Sequence, residues 1–137
     1  MRKQPIFFVP LVIATAGLLL AAPAEDNAQR AAEEWLALVD KAEFAESWKT
    51  AAQVFKDAVS EEEWVRSVGS VRKPIGSLIS RALKGAEYTR SIPGGADGEY
   101  VILRFESSFE NKAEAVETIT ATLEKDGLWR VSCYFVK

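Results

Sequence analysis

The apolar residues of this chain change their spacing once, near Pro74, and that change decides the fold class. Ala28, Ala31, Ala32, Trp35 and Val39 recur at helical intervals and predict one amphipathic helix. Phe44, Trp48, Ala51, Ala52 and Phe55 repeat the stripe and predict a second. Trp64, Val65, Val68 and Val71 predict a third, with Arg72 and Lys73 suited to the negative end of its dipole and Pro74 as its stop. Ser60 with Glu63 forms a capping box for this helix, and Asp26 with Gln29 resembles one for the first.

Beyond Pro74 the period falls to two. Val101, Leu103 and Phe105 alternate with Tyr100, Ile102, Arg104 and Glu106, and Trp129, Val131, Cys133 and Phe135 alternate with Arg130, Ser132, Tyr134 and Val136. Leu78 to Arg90 is a weaker strand in which Gly85 marks a bulge, and Ile92 to Gly98 is a loop rich in Gly. Residues 113–124 fit both periods: Val116, Ile119, Thr120 and Leu123 suit a helix, whereas Thr118, Thr120 and Thr122 suit a strand. Asp126-Gly127 is a hairpin turn and needs a strand on each side, which selects strand. The expectation is an α+β domain over residues 25–137, with N-terminal helices on one face of a four-stranded antiparallel sheet.

The first 24 residues obey another logic. Arg2 and Lys3 precede an apolar run from Ile6 to Leu20, and Ala22-Pro23-Ala24 offers small side chains at both positions a signal peptidase reads. This predicts a signal peptide over 1–24 and a periplasmic or secreted product. A spanning helix needs about 20 apolar residues; this run is shorter and contains Pro10, so no membrane association is expected after cleavage.

Losing Arg2 and Lys3 leaves 15 basic side chains against 20 acids, a net charge of −5. An acidic domain without a basic stripe is unsuited to nucleic acid. The sequence has no His, which excludes imidazole bases and His-ligated metals, and Cys133 is the single cysteine, which excludes an internal disulfide. No loop has calcium-ligand spacing. No cofactor, no metal and no catalytic constellation are expected.

Glu117 is the acid of interest. On a strand it shares a face with Ile119, Ala121 and Leu123, directed at the helices, where desolvation raises a carboxyl pKa and suits a general base. The alternative for the same residue is a sheet-edge position or a pair with an Arg. Trp48, Phe105 and Glu117 are the candidate lining of a ligand cavity, although a plain aromatic core explains the tryptophans equally. Cys133 alternates with core residues and is expected to be a buried, inert thiol. The opposite sheet face is expected to carry Tyr100, Arg104, Arg130 and Tyr134, the residue types enriched in interfaces, and so to offer a homodimer contact.

Five ordered segments carry a family resemblance: A-A-E-E-W-L-A-L-V-D at 31–40, S-W at 47–48, D-G-E-Y at 97–100, V-E-T at 116–118 and D-G-L-W-R-V-S-C-Y at 126–134. Together they resemble the bacterial family named domain of unknown function 4019. The closing run is also similar to the last hairpin of nuclear transport factor 2-like (cystatin-like) domains. That likeness implies helices packed into a curved antiparallel sheet, with a cone-shaped cavity between them and pairing through the outer face. In the family pattern a Gly often precedes the Tyr, where this chain has Cys133, and a Gly-Asp turn often joins the first helices, where it has Ala42-Glu43. The resemblance implies no activity. The functional expectation is an exported, non-enzymatic domain that binds a small apolar ligand or a partner protein. The alternative is a cavity-based isomerase or hydrolase with Glu117 as general base.

Overall fold

The computed structural model describes residues 2–5 and 23–137; the run Ile6–Leu20 that carries the leader expectation lies outside the described residues. Four helices precede four strands: α1 (Ala24–Asp40), α2 (Phe44–Lys49), α3 (Gln53–Ala58), α4 (Glu61–Ile75), then β1 (Leu78–Thr89), β2 (Tyr100–Phe109), β3 (Lys112–Leu123) and β4 (Trp129–Val136). The strands form one curved antiparallel sheet in the order β1-β2-β3-β4. The helices cover one face, as the change of period predicts, and the stretch that fitted both periods is strand, β3 spanning Lys112–Leu123.

Several helix boundaries differ from the pattern. The first helix starts at Ala24 behind Pro23 and has no side-chain cap; Gln29 instead donates to Glu33, so Asp26 and Gln29 form no capping box. The second helix is two, α2 and α3, broken at residues 50–52. The break frees the Ala52 N–H, which donates to Val131 O of β4 at 2.8 Å. The Ser60 cap holds: its hydroxyl accepts from Glu63 N at 3.2 Å. Pro74 does not stop α4, which runs to Ile75 and ends at Gly76 with φ +80°. A Cβ there would approach Glu110 Cβ to 2.9 Å, so the helix end and the β2–β3 turn fit each other only through glycine. Val65 and Val71 are exposed, and Arg72 takes a buried place on that stripe instead.

The connection from α1 to α2 is a Schellman motif. Glu43 N–H donates to Leu38 O and Ala42 N–H to Val39 O, with Ala42 at φ +60°. Ala42 therefore occupies a position that demands a left-handed backbone.

The helix–sheet core is aromatic. Trp35, Leu36, Val39, Phe44, Phe55, Trp64 and Val68 meet Val101, Leu103, Phe105, Ile119, Ala121 and Val131. Trp64 lies 5.8 Å from Trp35 and 4.9 Å from Phe55 between ring centroids. Buried Ser47 satisfies both indoles: its carbonyl accepts from Trp35 Nε1 at 2.8 Å, its hydroxyl from Trp64 Nε1 at 2.9 Å. An indole N–H buried in a core usually finds such a partner, which offsets its loss of water.

Two irregularities set which side chains reach this core. The β1–β2 register slips between Leu83 and Gly85, the bulge that Gly85 announces. The β3–β4 register slips between Thr120 and Ala121: Ala121 faces Val131 but Thr120 faces Cys133, leaving Ser132 as an extra residue. Because strand side chains alternate, one extra residue reverses every face beyond it. Cys133 is therefore exposed, not in the core, and Tyr134 points inward, not to the outer face.

Candidate functional site

Glu117 sits at the centre of the helix–sheet interface with no exposed surface. Its position on β3 places it beside Phe105, its cross-strand partner on β2. Four hydrogen bonds end on its two oxygens. Arg81 Nε and the Ser107 hydroxyl reach Oε1 at 2.7 and 2.5 Å; Arg81 Nη2 and the Tyr134 hydroxyl reach Oε2 at 3.1 and 2.5 Å. Of the two arrangements open for Glu117, this is the pair with an arginine.

The network continues to the helices. Arg81 Nη1 donates to Asp40 Oδ2 at 2.8 Å, and Arg72 Nη2 donates to Asp40 Oδ1 at 2.8 Å. Arg72 also lies 4.8 Å over the Phe109 ring, and Tyr134 packs edge-on to Trp35 at 5.3 Å. One side chain each from α1, α4, β1, β2, β3 and β4 thus meets in a single cluster. Two guanidiniums face two carboxylates, so the cluster is neutral overall. Such burial is tolerable only because each charge is paired and hydrogen-bonded.

Burial alone pushes the Asp40 carboxyl upward, but the hydrogen bonds from Arg81 and Arg72 outweigh it and hold its pKa below 3.8. Burial, with the charge and hydrogen bond of Glu117 added, drives the Tyr134 phenol well above 10. Arg81 is also raised: its hydrogen bonds to Asp40 and Glu117 overcome the opposing effect of burial. These directions describe a locked ion cluster. A general base needs a lone pair open to a ligand, and all four acceptor directions of Glu117 are engaged within the protein.

The other expected residues are spread apart. Trp48 is half-buried on α2, with its indole donating to Val59 O at 2.8 Å, while Phe105 is core. Phe105 and Glu117 are neighbours; Trp48 makes its hydrogen bond elsewhere. Of the outer-face set, Tyr134 belongs to the inner cluster. Tyr100 is buried beneath the 92–98 loop, donating its hydroxyl to Ala96 O. Arg130 is tied to Glu124 and Asp126 at 2.8 Å each. Of the four, Arg104 alone is fully exposed, so they form no common patch.

A groove of about 660 Å³ opens between α1 and the β3–β4 hairpin. Its apolar wall is Trp35, Leu38, Trp129 and Val131, with Leu128 55 % exposed at the rim. Arg30 and Glu34 border it from α1. The hairpin is a three-residue turn, Lys125 to Gly127, in which Gly127 at φ +82° takes the left-handed place. The volume falls within the range of small-molecule sites, and Asn27, Thr50 and Arg130 add polar groups to the lining. Sequence reasoning missed this groove because α1 and the hairpin are far apart in the chain.

Among the described residues no group of His, Cys, Asp and Glu is arranged to hold a metal, and no helix is long and apolar enough to cross a membrane.

The architecture defines a small α+β domain: helices on one face of a curved antiparallel sheet, joined through a buried ion cluster. Residues 31–134 match the family described as protein of unknown function (DUF4019), and the chain belongs to that family. Comparison with curated proteins returned no match.

Proposed function

We propose that this chain is a non-enzymatic binding domain, exported by its leader pattern, whose ligand docks in the groove between α1 and the β3–β4 hairpin. The observation that carries the reading is the groove itself: the apolar side chains of Trp35, Trp129 and Leu38 line it together with the charged Arg30, Glu34 and Arg130. The ligand site differs from the one centred on Trp48, Phe105 and Glu117, since Glu117 spends its acceptors on Arg81, Ser107 and Tyr134.

The test uses 1-anilinonaphthalene-8-sulfonate, an apolar probe with one anionic group. It should bind the folded protein saturably, and Leu128→Asp should weaken binding at least tenfold without altering thermal stability. Equal binding by the variant would reject the groove as the site.

A further inference from the structure

We propose that the natural occupant of this groove is an extended peptide segment that adds as a short strand to the free edge of β4; the inference rests on the groove reading above. β4 ends the sheet and has β3 as its one ladder partner. Glu124 N–H donates to Leu128 O at 2.9 Å, so these two form a bonded pair at the hairpin. Antiparallel ladders alternate bonded and non-bonded pairs. The pairs Leu123–Trp129 and Ala121–Val131 are thus non-bonded, and Trp129 and Val131 turn their backbone groups away from β3.

Val131 O confirms that direction, since it accepts from Ala52 N–H in the break between α2 and α3. Trp129 N–H, Trp129 O and Val131 N–H remain along the same edge, on residues that line the groove, with no partner among the described residues. An antiparallel peptide residue opposite Trp129 exchanges two hydrogen bonds with it, and a residue two positions away accepts the third from Val131. Main-chain bonds of this kind supply affinity, while the facing wall supplies specificity.

The facing wall has a readable order. Arg30, Glu34 and Leu38 succeed one another at four-residue intervals along α1, and all three line the groove. Arg30 and Glu34 have no ion-pair partner among the described residues. Four residues of helix rise about 6 Å, and successive same-face side chains of a strand are about 6.8 Å apart. A strand that presents an acid, a base and an apolar side chain at alternate positions therefore matches cation, anion and leucine in turn.

The experiment uses capped acetyl-Asp-Val-Lys-Val-Leu-amide and its reversed sequence, with forms N-methylated at each backbone position in turn. One of the two sequences should shift the Trp129 and Val131 amide resonances, and N-methylation on the β4-facing side should weaken binding at least tenfold. Combining Arg30→Glu with Glu34→Arg should transfer preference, by about tenfold, to the peptide with Asp and Lys exchanged. If neither peptide moves those amides, or N-methylation has no effect, while the naphthalene probe still binds, the strand-addition proposal is overturned and the groove reading stands. Failure of the probe as well overturns both.

Discussion

Arg81 grips Glu117 with two prongs of its guanidinium, Nε to Oε1 at 2.7 Å and Nη2 to Oε2 at 3.1 Å, from strands that are not neighbours. β2 lies between them, and its Ser107, in register with Arg81, completes the bridge. The pair therefore ties the sheet across its width and, through Asp40, to the helices. An acid placed like this holds the fold together.

Breaking that pair should be costly. Glu117→Gln leaves Arg81 buried with half its partners, and loss of one member of a buried ion pair costs about 3–5 kcal/mol. Tyr134→Phe removes the hydrogen bond to Glu117 and the long one accepted from Arg72 Nη1 at 3.5 Å, and should cost about 1.5–3 kcal/mol. Urea unfolding of both variants checks the order. A Glu117→Gln midpoint equal to wild type would contradict a structural role for the cluster.

Stability should fall at both ends of the pH scale. The folded state holds Asp40 below 3.8, so it binds that proton less readily than the unfolded chain. This contribution is complete above pH 3.8 and is lost as pH falls toward the folded value. Tyr134 is raised above 10, so its contribution is complete below pH 10 and declines above it, by about 1.4 kcal/mol per pH unit. Urea midpoints from pH 2 to 11.5 should show both declines, and Tyr134→Phe should flatten the alkaline one. An alkaline decline unchanged in that variant would assign it elsewhere.

Cys133 should react in the native protein. The Ser132 bulge turns it to the outer face, and partial desolvation raises its thiol pKa, so the rate should climb as pH passes 9. Mass spectrometry after iodoacetamide treatment should find full modification of folded protein within about tenfold of the denatured rate. Protection of 10²-fold or more would restore Cys133 to the core.

The same bulge marks the limit of what the sequence discloses. Trp129 to Val136 alternates whichever way it is divided, and Ser132 carries no signal, unlike Gly85, whose missing side chain flagged the β1 bulge correctly. The four strands were legible because Val101, Leu103 and Phe105 alternate cleanly and Asp126-Gly127 demanded a partner strand. The ion cluster was half legible. Glu117 stood out on an apolar face, and Arg72 continues the Trp64–Val68 stripe at its next four-residue step, a signal that could have placed it in the core. Asp40 likewise follows Leu36 by four residues on the buried face of α1. That these two meet Arg81 depends on packing between distant segments, which periodicity does not encode.

Ala42→Gly should stabilise the protein. Ala42 holds φ +60° in the Schellman turn, a conformation that costs an L-residue about 1–2 kcal/mol and glycine little. Glycine's greater unfolded-state entropy offsets part of this, leaving a gain of about 0.5–1 kcal/mol. Thermal unfolding of the variant should shift upward by a few degrees; a downward shift would show that the turn is not strained.

The most direct test of the account is a heteronuclear NMR titration of the folded protein with the naphthalene sulfonate probe, reading tryptophan indole, backbone amide and arginine Nε resonances together. Binding in the groove predicts movement of the Trp35 and Trp129 signals and the Leu128 amide, with Arg81 Nε unmoved beside Glu117. Movement centred on Arg81 Nε and the Glu117 amide, with Trp129 still, would contradict it and return the ligand to the core.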